Sequence, residues 1–312
     1  MRTFDADALE CLAAIVEEGG FERAAQRLSV TQSAVSQRLR SLEAQVGTVL
    51  LVRSRPIKPT LAGRLLIKHA VQLRLLRADL DHDLHDLAPV EGAARAQDRI
   101  SIAINADSIA TWALPALSPL IAQGLPLEII TDDQDFTHEW LREGQVLGCV
   151  TTVPQALRGC RVRALGAMPY VLVAESAFAS SHCPSGLSPQ NFRQLPFIAF
   201  NRKDDLQADF VARALGLRRI SLNQRFVPSS EGQVRAVLAG WGASVVPRDL
   251  VQSLLESAAL VNLAPHFDLP VHLYWHCWNL DSALIDRLTA ALLEGAARTL
   301  LKTKQSQIKR TN

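Results

Sequence analysis

The chain has 312 residues, of which 48% are apolar and 21% are charged. This is the composition of an ordinary globular protein with room for two or three domains, not of a disordered or fibrous chain. The net charge is only +2, but Arg23 to Arg77 contains eleven basic residues and one acidic residue, whereas the rest of the chain contains 22 basic and 30 acidic residues.

No stretch of the sequence is typical of a membrane anchor or an export signal. The first ten residues, MRTFDADALE, carry acids and no apolar core. The uncharged run from Ser108 to Leu127 is interrupted by Pro115, Pro119 and Pro126. The five cysteines are scattered, without a C-x-x-C pair, which indicates free thiols in a reducing cytosol. We therefore expect a cytoplasmic protein with no membrane partner.

The N-terminal residues predict three helices. The first spans Asp5–Glu18 and ends at Gly19-Gly20, the second spans Phe21–Leu28, and the third follows the turn Ser29-Val30-Thr31. The third helix has an apolar face with the spacing of one helix side, formed by Val35, Leu39, Leu42 and Val46. Two short helices joined by a tight turn are typical of a helix-turn-helix unit.

The opposite face of the third helix carries amides, hydroxyls and one arginine but no acid. Its members are Gln32, Ser33, Ser36, Gln37 and Arg40. Amides can pair with adenine and arginine can bond guanine or phosphate, whereas an acid would repel the phosphates. An ordinary solvated helix surface is the alternative; the local positive charge and the position after the turn favour DNA.

Residues 47–60 predict a two-stranded wing with a basic tip. Arg53, Arg55 and Lys58 would reach the DNA backbone, which supplies affinity but little sequence information. Thr60 is expected to cap the helix that follows.

A long helix is predicted from Leu61 to about Leu87. Leucines recur every seven residues along it, at Leu66, Leu73, Leu80 and Leu87. This repeat favours a dimerising helix, which would pair two DNA-binding units on a pseudo-palindromic site; packing against the protein's own body is the alternative. His82 and His85 lie three apart among acids, where a solvated helix end is favoured over a metal site.

The small and polar residues 89–98 predict a hinge, after which β-like runs alternate with helical stretches. This alternation indicates an α/β domain with mostly parallel strands. The predicted strands are Arg99–Asn105, Leu127–Asp132, Val146–Thr151, Tyr170–Ala174, Phe197–Phe200, Ile220–Phe226, Ala243–Val246 and Val271–Trp275.

Polar residues follow the first and third of these strands, where open α/β sheets bind ligands. They include Asn105, Asp107, Ser108 and Thr152, and Ser108 is expected to cap the next helix. Nucleotide-binding and hydrolase motifs such as G-x-G-x-x-G and G-x-S-x-G are absent from the sequence, which favours a binding domain over an enzyme. Several acids, among them Asp107, Asp204, Asp205 and Glu231, suit a small molecule with more than one cationic group, although each alone is also explained as a solvated cap or turn residue.

The sequence resembles the LysR-type transcriptional regulators. The stretch GGFERAAQRLSVTQSAVSQRLRSLEAQVGTVLLVRSRPIKPTLAG is similar to their winged helix-turn-helix. Short motifs farther along resemble the ArgP/LysG subgroup, which responds to basic amino acids and controls genes such as those for lysine or arginine export. These motifs are NADSIATW, LPAL, GQVLGCVTTVP, GC, LGAMPYVLVA, DDLQADF, SSE and LYWH.

The resemblance implies an all-α N-terminal part joined to an α/β domain with two lobes, like a type 2 periplasmic binding protein. The implied units are a winged helix-turn-helix at 1–60, a linker helix at 61–88, the hinge at 89–98, an effector domain at 99–301 and a basic tail at 302–312. Lobe I would comprise 99–166 and 266–301, and lobe II 167–265, with crossings near Gly166 and Pro265. The tail is expected to be disordered.

The resemblance also implies roles for individual residues. Gln32, Ser33 and Ser36 would face bases, and Thr31, Arg53 and Thr60 would face the DNA backbone. The effector cleft would be lined or flanked by Asn105, Asp107, Ser108, Thr152, Asp204, Asp205, Ser230 and Glu231. Trp112 would form an apolar wall for the ligand's methylenes, with core packing as the alternative. No role is assigned to the Asp132–Asp135 loop.

The predicted function is regulation of transcription by a homodimer or dimer of dimers that contacts promoter DNA and RNA polymerase. Its effector would be L-lysine or L-arginine, and no cofactor is expected. One alternative is a LysR-type regulator of another effector, such as an aromatic or organic acid, since Arg202 and Lys203 lie beside Asp204. Another is a cytosolic solute-binding or enzymatic domain with an incidental basic unit.

Overall fold

The computed structural model describes residues 3–52, 54–87, 100–131 and 137–302. Several features predicted from the sequence lie outside the described residues: Arg53, the hinge at 89–98, the Asp132–Asp135 loop, nearly all of the basic tail, and the side chains of His82, His85 and Leu87. Within the described ranges, no helix is both long enough and apolar enough to cross a membrane.

The N-terminal unit is the predicted helix-turn-helix. Its helices are α1 (Ala6–Glu17), α2 (Phe21–Arg27) and α3 (Gln32–Val46). Thr31 caps α3, because its Oγ1 accepts a hydrogen bond from the Ala34 amide at 3.2 Å. Gly47 ends the helix in the left-handed conformation, with φ of +85°. Val35, Leu39 and Leu42 are buried, as the apolar spacing predicted.

The wing and its connection to the long helix also follow the prediction. Strand β1 (Leu51–Val52) pairs antiparallel with β2 (Lys58–Pro59), and helix α4 spans Leu61–Leu87. Thr60 Oγ1 accepts a hydrogen bond from the Gly63 amide at 3.1 Å and donates to the Val49 carbonyl at 3.0 Å. One hydroxyl therefore caps α4 and ties it to the base of the wing.

Helix α4 uses the predicted heptad leucines in two different ways. Leu66 and Leu73 are half-buried against the protein's own core, whereas Leu80 is 55% exposed. The exposed apolar stripe of α4 is formed by Leu61, Leu65, Leu76, Leu80 and Leu84. We call this set the leucine stripe.

Among the described residues, the C-terminal part is built on a mixed seven-stranded sheet and a separate two-stranded sheet of β7 and β8, with helices around them. The strands are β3 (Ile100–Ala103), β4 (Leu127–Ile130), β5 (Gly148–Thr151), β6 (Cys160–Glu175), β7 (Pro196–Ala199), β8 (Asn223–Phe226), β9 (Ser244–Pro247), β10 (Leu260–Asn262) and β11 (Leu269–Trp278). The helices are α5 (Ala106–Ser108), α6 (Leu114–Ala122), α7 (Thr137–Arg142), α8 (Ser176–His182), α9 (Leu206–Ala214), α10 (Ser230–Leu238), α11 (Arg248–Glu256) and α12 (Ala283–Thr299), and a π-helical segment at Ile109–Ala113 joins α5 to α6.

The prediction of mostly parallel strands was wrong. Parallel pairing joins β3 to β4, β3 to β5, and β7 to β8. The long strands β6 and β11 instead pair antiparallel with each other along almost their whole length, and β9 and β10 add antiparallel to β6. Two strands that run through both halves of the domain in opposite directions must pair antiparallel where they meet.

The strand positions were predicted better than their ends. Each predicted run overlaps an observed strand, but β10 and the first half of β6 were missed. The first half of β6 contains Arg161 and Arg163, so its composition is that of a loop. Only its ladder with β11 shows that it is a strand.

The middle of the β6–β11 ladder is irregular. Gly166 pairs with Leu273, and the register shifts between Leu273 and Tyr274. Gly166 has φ of +144°, and a Cβ there would lie 2.9 Å from the Leu301 carbonyl oxygen. The lobe bounds remain a prediction, and this geometry favours a second crossing at Leu273–Tyr274 over one near Pro265.

Candidate functional site

The proposed DNA-reading face of α3 lies at the surface. Gln32, Ser33, Gln37 and Arg40 are exposed, and Ser36 is half-buried. The Thr31 and Ser33 hydroxyl oxygens lie 2.9 Å apart. The face is therefore free of intramolecular acid contacts among the described residues and presents donors and acceptors outward.

The positive charge of the N-terminal segment is partly neutralised within the fold. Arg74 bonds Glu10 at 2.6 Å, Arg27 pairs with Glu17, and Arg38 Nη2 lies 3.3 Å from an Asp7 carboxylate oxygen. These acids belong to α1, ahead of the basic segment in the chain. The number of basic residues in the sequence therefore overstates the positive charge available to DNA. That charge depends more on the exposed Arg40, Arg55 and Lys58.

The candidate effector site begins directly after β3. Asn105 is extended, and its carbonyl accepts the helical hydrogen bond from the Ile109 amide at 3.1 Å, so the helix starts at Ala106. The expected capping role of Ser108 is therefore wrong, because Ser108 lies inside the helical run. Asn105 and Ser108 are 2% and 0% exposed, and their side-chain polar atoms have no partner among the described residues.

Asp107 is the centre of this site. Its Oδ2 accepts a hydrogen bond from the Tyr170 hydroxyl of β6 at 2.6 Å. Part of Asp107 remains exposed, yet protein atoms enclose its carboxyl group closely enough that burial raises its pKa above the ordinary 3.8. The Ser230 and Tyr170 hydroxyls lower the pKa, and no basic side chain in the described part of the chain contributes to the shift. Ser230 faces this carboxyl without making a hydrogen bond of normal geometry, and its buried Oγ has no other partner in the described ranges.

Asp204 lies near Asp107 but is already engaged by backbone. Its two oxygens accept hydrogen bonds from the Phe200 and Leu206 amides, each at 2.9 Å. Burial raises its pKa, and the negative charge of Asp107 raises it further. Asp204 thus holds the start of α9 while adding a second carboxyl to the site.

The remaining predicted site residues differ in how far they are buried. Asp205 and Glu231 are exposed, and Thr152 is half-buried after β5. Trp112 is 2% exposed in the π-helical segment, and its Nε1 has no partner in the part of the chain that the structure describes. Its burial agrees with core packing, while its orphaned N–H suits a position beside a ligand.

Tyr170 was missed in the sequence. It sits in the apolar run PYVLVA, where a tyrosine is usually explained as core, and only the fold shows its hydroxyl on Asp107. Conversely, Arg202 is exposed and its guanidinium lies 5.8 Å from the centre of the Phe226 ring. That placement gives no support to an anionic effector bound through Arg202, and Lys203 is exposed as well.

A separate groove of about 590 Å³ lies between Ala179–Leu187, Ala214–Leu215 and Val261–Phe267. It contains no carboxylate and none of the polar groups around Asp107. Its lining does not match the predicted effector chemistry, so its size alone does not identify it as the effector site.

Comparison with known families decides the class of protein. The family described as "Bacterial regulatory helix-turn-helix protein, lysR family" matches residues 6–64, and the family described as "LysR substrate binding domain" matches residues 93–297. The chain belongs to the LysR family. It is a DNA-binding transcriptional regulator and not an enzyme.

Curated relatives show that the chain is of the ArgP/LysG type. The chain is 40% identical to the transcriptional regulator ArgP of Aeromonas salmonicida, covering 96% of this chain and 99% of that protein. It is 41% identical to the regulator LysG of Mycobacterium tuberculosis, covering 94% of each. The resemblance seen in the short motifs is confirmed.

Solved structures of LysR-family relatives have the same architecture. ArgP from Mycobacterium tuberculosis gives a TM-score of 0.81 at 39% identity, covering 96% of this chain and all of that one. Full-length LysG from Corynebacterium glutamicum with bound effector arginine gives 0.70 at 30% identity, covering 95% of this chain and 99% of that one. The predicted winged helix-turn-helix, linker helix and effector domain are confirmed as a fold.

Proposed function

We propose that this LysR-family regulator responds to L-arginine or L-lysine through a site centred on Asp107. The observation that carries the proposal is a carboxyl group with no basic partner among the described residues, close in the chain or in space to buried polar atoms of Asn105, Ser108 and Ser230 that lack hydrogen bonds. A buried polar group without a partner costs about 1–3 kcal/mol, so a ligand that satisfies several of them gains substantial binding energy.

The chemistry of the site fits a basic amino acid. Asp107 would pair with one of the ligand's two cationic groups, and the nearby Asp204 would favour a second positive charge. Asn105, Ser108 and Ser230 supply donors and acceptors for the ligand's polar ends, and the Trp112 ring would lie beside its methylene groups. The arginine bound to LysG of Corynebacterium glutamicum supports the same ligand class.

On the DNA side, we propose a homodimer or a dimer of dimers that places paired α3 helices in major grooves. Wing residues Arg53, Arg55 and Lys58, together with Thr31 and Thr60, would hold the backbone. Effector binding would alter the DNA contacts and the contact with RNA polymerase, at genes such as an amino-acid exporter. The regulator would act in the cytoplasm, on the nucleoid.

Calorimetric titration with L-arginine, L-lysine, L-ornithine and L-leucine tests the effector assignment. We expect saturable binding of the basic amino acids and none of leucine. Asp107→Asn, which keeps the shape but removes the charge, should weaken arginine binding at least tenfold and leave DNA binding intact. The matched control is Asp209→Asn on the exposed face of α9.

Two results would contradict the proposal. If the wild type binds none of the basic amino acids, the effector class is wrong while the DNA-binding assignment stands. If Asp107→Asn binds arginine as tightly as Asp209→Asn does, Asp107 is not part of the site.

A further inference from the structure

Lobe I of the effector domain contacts helix α4 of its own chain near the start of that helix. Arg64 Nη1 lies 3.5 Å from Glu143 Oε1. Gln145 donates to the other oxygen of Glu143 at 2.9 Å and so fixes the carboxylate toward α4. The loop after α7 is thereby joined to the first turns of the linker helix, 79 residues earlier in the chain.

Gly144 is the point of closest approach in this contact. It has φ of +78°, and a Cβ at this position would lie 2.5 Å from the Lys68 Cβ and 2.6 Å from the Lys68 Cα. Atoms on the backbone and at the root of a side chain cannot move aside as a flexible side-chain end can. Any side chain at position 144 would therefore push the loop away from α4.

A second contact lies farther along α4. The Leu284 amide, in the first turn of α12, donates to Asp79 Oδ1 at 3.4 Å. A carboxylate from α4 thus sits at the N-terminus of a helix of 17 residues, where the helix dipole favours negative charge. We call the set Arg64, Lys68, Asp79, Glu143, Gly144 and Leu284 the linker junction.

The elements of the linker junction lead directly to the candidate effector site. The Leu147 amide, just after the Glu143–Gln145 loop, donates to the Ser101 carbonyl of β3 at 2.9 Å, and β3 ends just before Asn105. Helix α12 packs closely against α6, since a Cβ on Gly295 would lie 2.2 Å from the Ala116 Cβ. A shift of the Asn105–Ser108 segment would therefore be transmitted through closely packed neighbours to helix α4.

On the other side, α4 is fixed to the DNA-binding unit. The Arg74 side chain is 9% exposed, and it bonds Glu10 at 2.6 Å and Glu17 at 3.3 Å on α1. Helix α1 packs in turn on α3 through their shared apolar core. A change in how lobe I holds α4 would therefore reorient the DNA-reading helix as part of one body.

We propose that the linker junction is a docking surface through which lobe I passes the state of the effector site to the DNA-binding unit of the same chain. The direction of signalling rests on the proposed function, whereas the docking itself rests only on the contacts of Gly144, Glu143 and Asp79. Coupling between two sites in proteins typically corresponds to an affinity change of about 5- to 150-fold.

Gly144→Ala, compared with Gly159→Ala, tests the junction. Gly159 has φ of +77° and nothing within 4 Å of its Cβ position, so the control carries the same backbone strain without the clash with Lys68. Arginine affinity is measured by calorimetry, and DNA affinity by fluorescence anisotropy with and without arginine. We expect both variants to bind arginine like the wild type, and only Gly144→Ala to lose most of the arginine-dependent change in DNA affinity.

Hydrogen–deuterium exchange of residues 61–75 tests the docking without any effector. We expect several-fold faster exchange in Gly144→Ala than in Gly159→Ala. Equal exchange in the two variants, or an unchanged arginine response in Gly144→Ala, overturns the junction. If the wild type binds no arginine, the proposed function fails, and the exchange experiment alone decides whether lobe I docks on α4.

Discussion

At the scale of single residues, the surroundings of Asp107 determine whether its carboxyl group is protonated. Burial favours its neutral form, while the Tyr170 hydroxyl favours the carboxylate. Because burial dominates, Asp107 in the empty site keeps its proton to a higher pH than an exposed aspartate. A cationic ligand reverses the preference, since its charge stabilises the carboxylate.

Where the pH lies below the raised pKa of Asp107 in the free protein, binding of arginine should therefore release protons, and affinity should rise with pH. Above that pKa the affinity should level off. Calorimetry in two buffers of different ionisation enthalpy, at the same pH, measures the protons released per ligand. An enthalpy and an affinity that are the same in both buffers and across pH would show that Asp107 is already ionised in the empty site.

The raised pKa of Asp107 also makes the free energy of unfolding depend on pH. The direction of this dependence is opposite to that of an acid in a salt bridge, whose pKa is lowered. The folded protein binds the Asp107 proton more tightly than the unfolded chain does. This contribution to the free energy of unfolding is complete below pH 3.8 and is lost as the pH rises toward the raised pKa. Bound arginine, by stabilising the carboxylate, offsets the loss.

At the scale of secondary-structure elements, close approach of backbones fixes the DNA-binding unit. The first turn of α4 lies against the base of the wing, where a Cβ on Gly63 would be 2.1 Å from the Leu50 carbonyl oxygen. Thr60 bonds both elements at the same place. The angle between the wing and the linker helix is thus set by one glycine and one hydroxyl.

Gly63→Ala should destabilise this unit by about 1–3 kcal/mol, the usual cost of forcing an extra methyl group into a packed interior. The expected result is a lower unfolding temperature together with weaker DNA binding, because the wing is displaced. Gly20→Ala is the control, since nothing lies within 4 Å of its Cβ position. Equal thermal unfolding of the two variants would contradict the close contact.

At the scale of the whole molecule, α4 has two apolar sides with different roles. Leu66 and Leu73 face the core of their own chain, and the leucine stripe remains exposed. A run of exposed leucines on a long helix is typical of a surface that another helix covers. We therefore expect the leucine stripe to form the dimer contact. Leu80 belongs both to this stripe and to the predicted heptad series.

Leu80→Glu should shift the protein toward the monomer in analytical ultracentrifugation and weaken binding to a two-fold-symmetric DNA site. Leu217→Glu, at an exposed leucine of the effector domain, serves as the control. Unchanged sedimentation of Leu80→Glu would remove the leucine stripe from the dimer contact.

The sequence by itself determined the parts of this protein whose evidence is local. Helix spacing, the turn before Gln32, the Thr60 cap and the acid-free face of α3 depend on neighbours a few residues apart, and the motif resemblance led correctly to the LysR family.

Only the tertiary structure decided which residues meet across the chain. It placed the Tyr170 hydroxyl on Asp107, moved the helix start from Ser108 to Ala106, paired β6 with β11 antiparallel and set Gly144 against Lys68. It also showed that the acids of α1 neutralise part of the basic segment. Hydrogen bonds, ion pairs and close contacts act over a few ångströms in space, and no periodicity in the sequence records which distant segments the fold brings within that range.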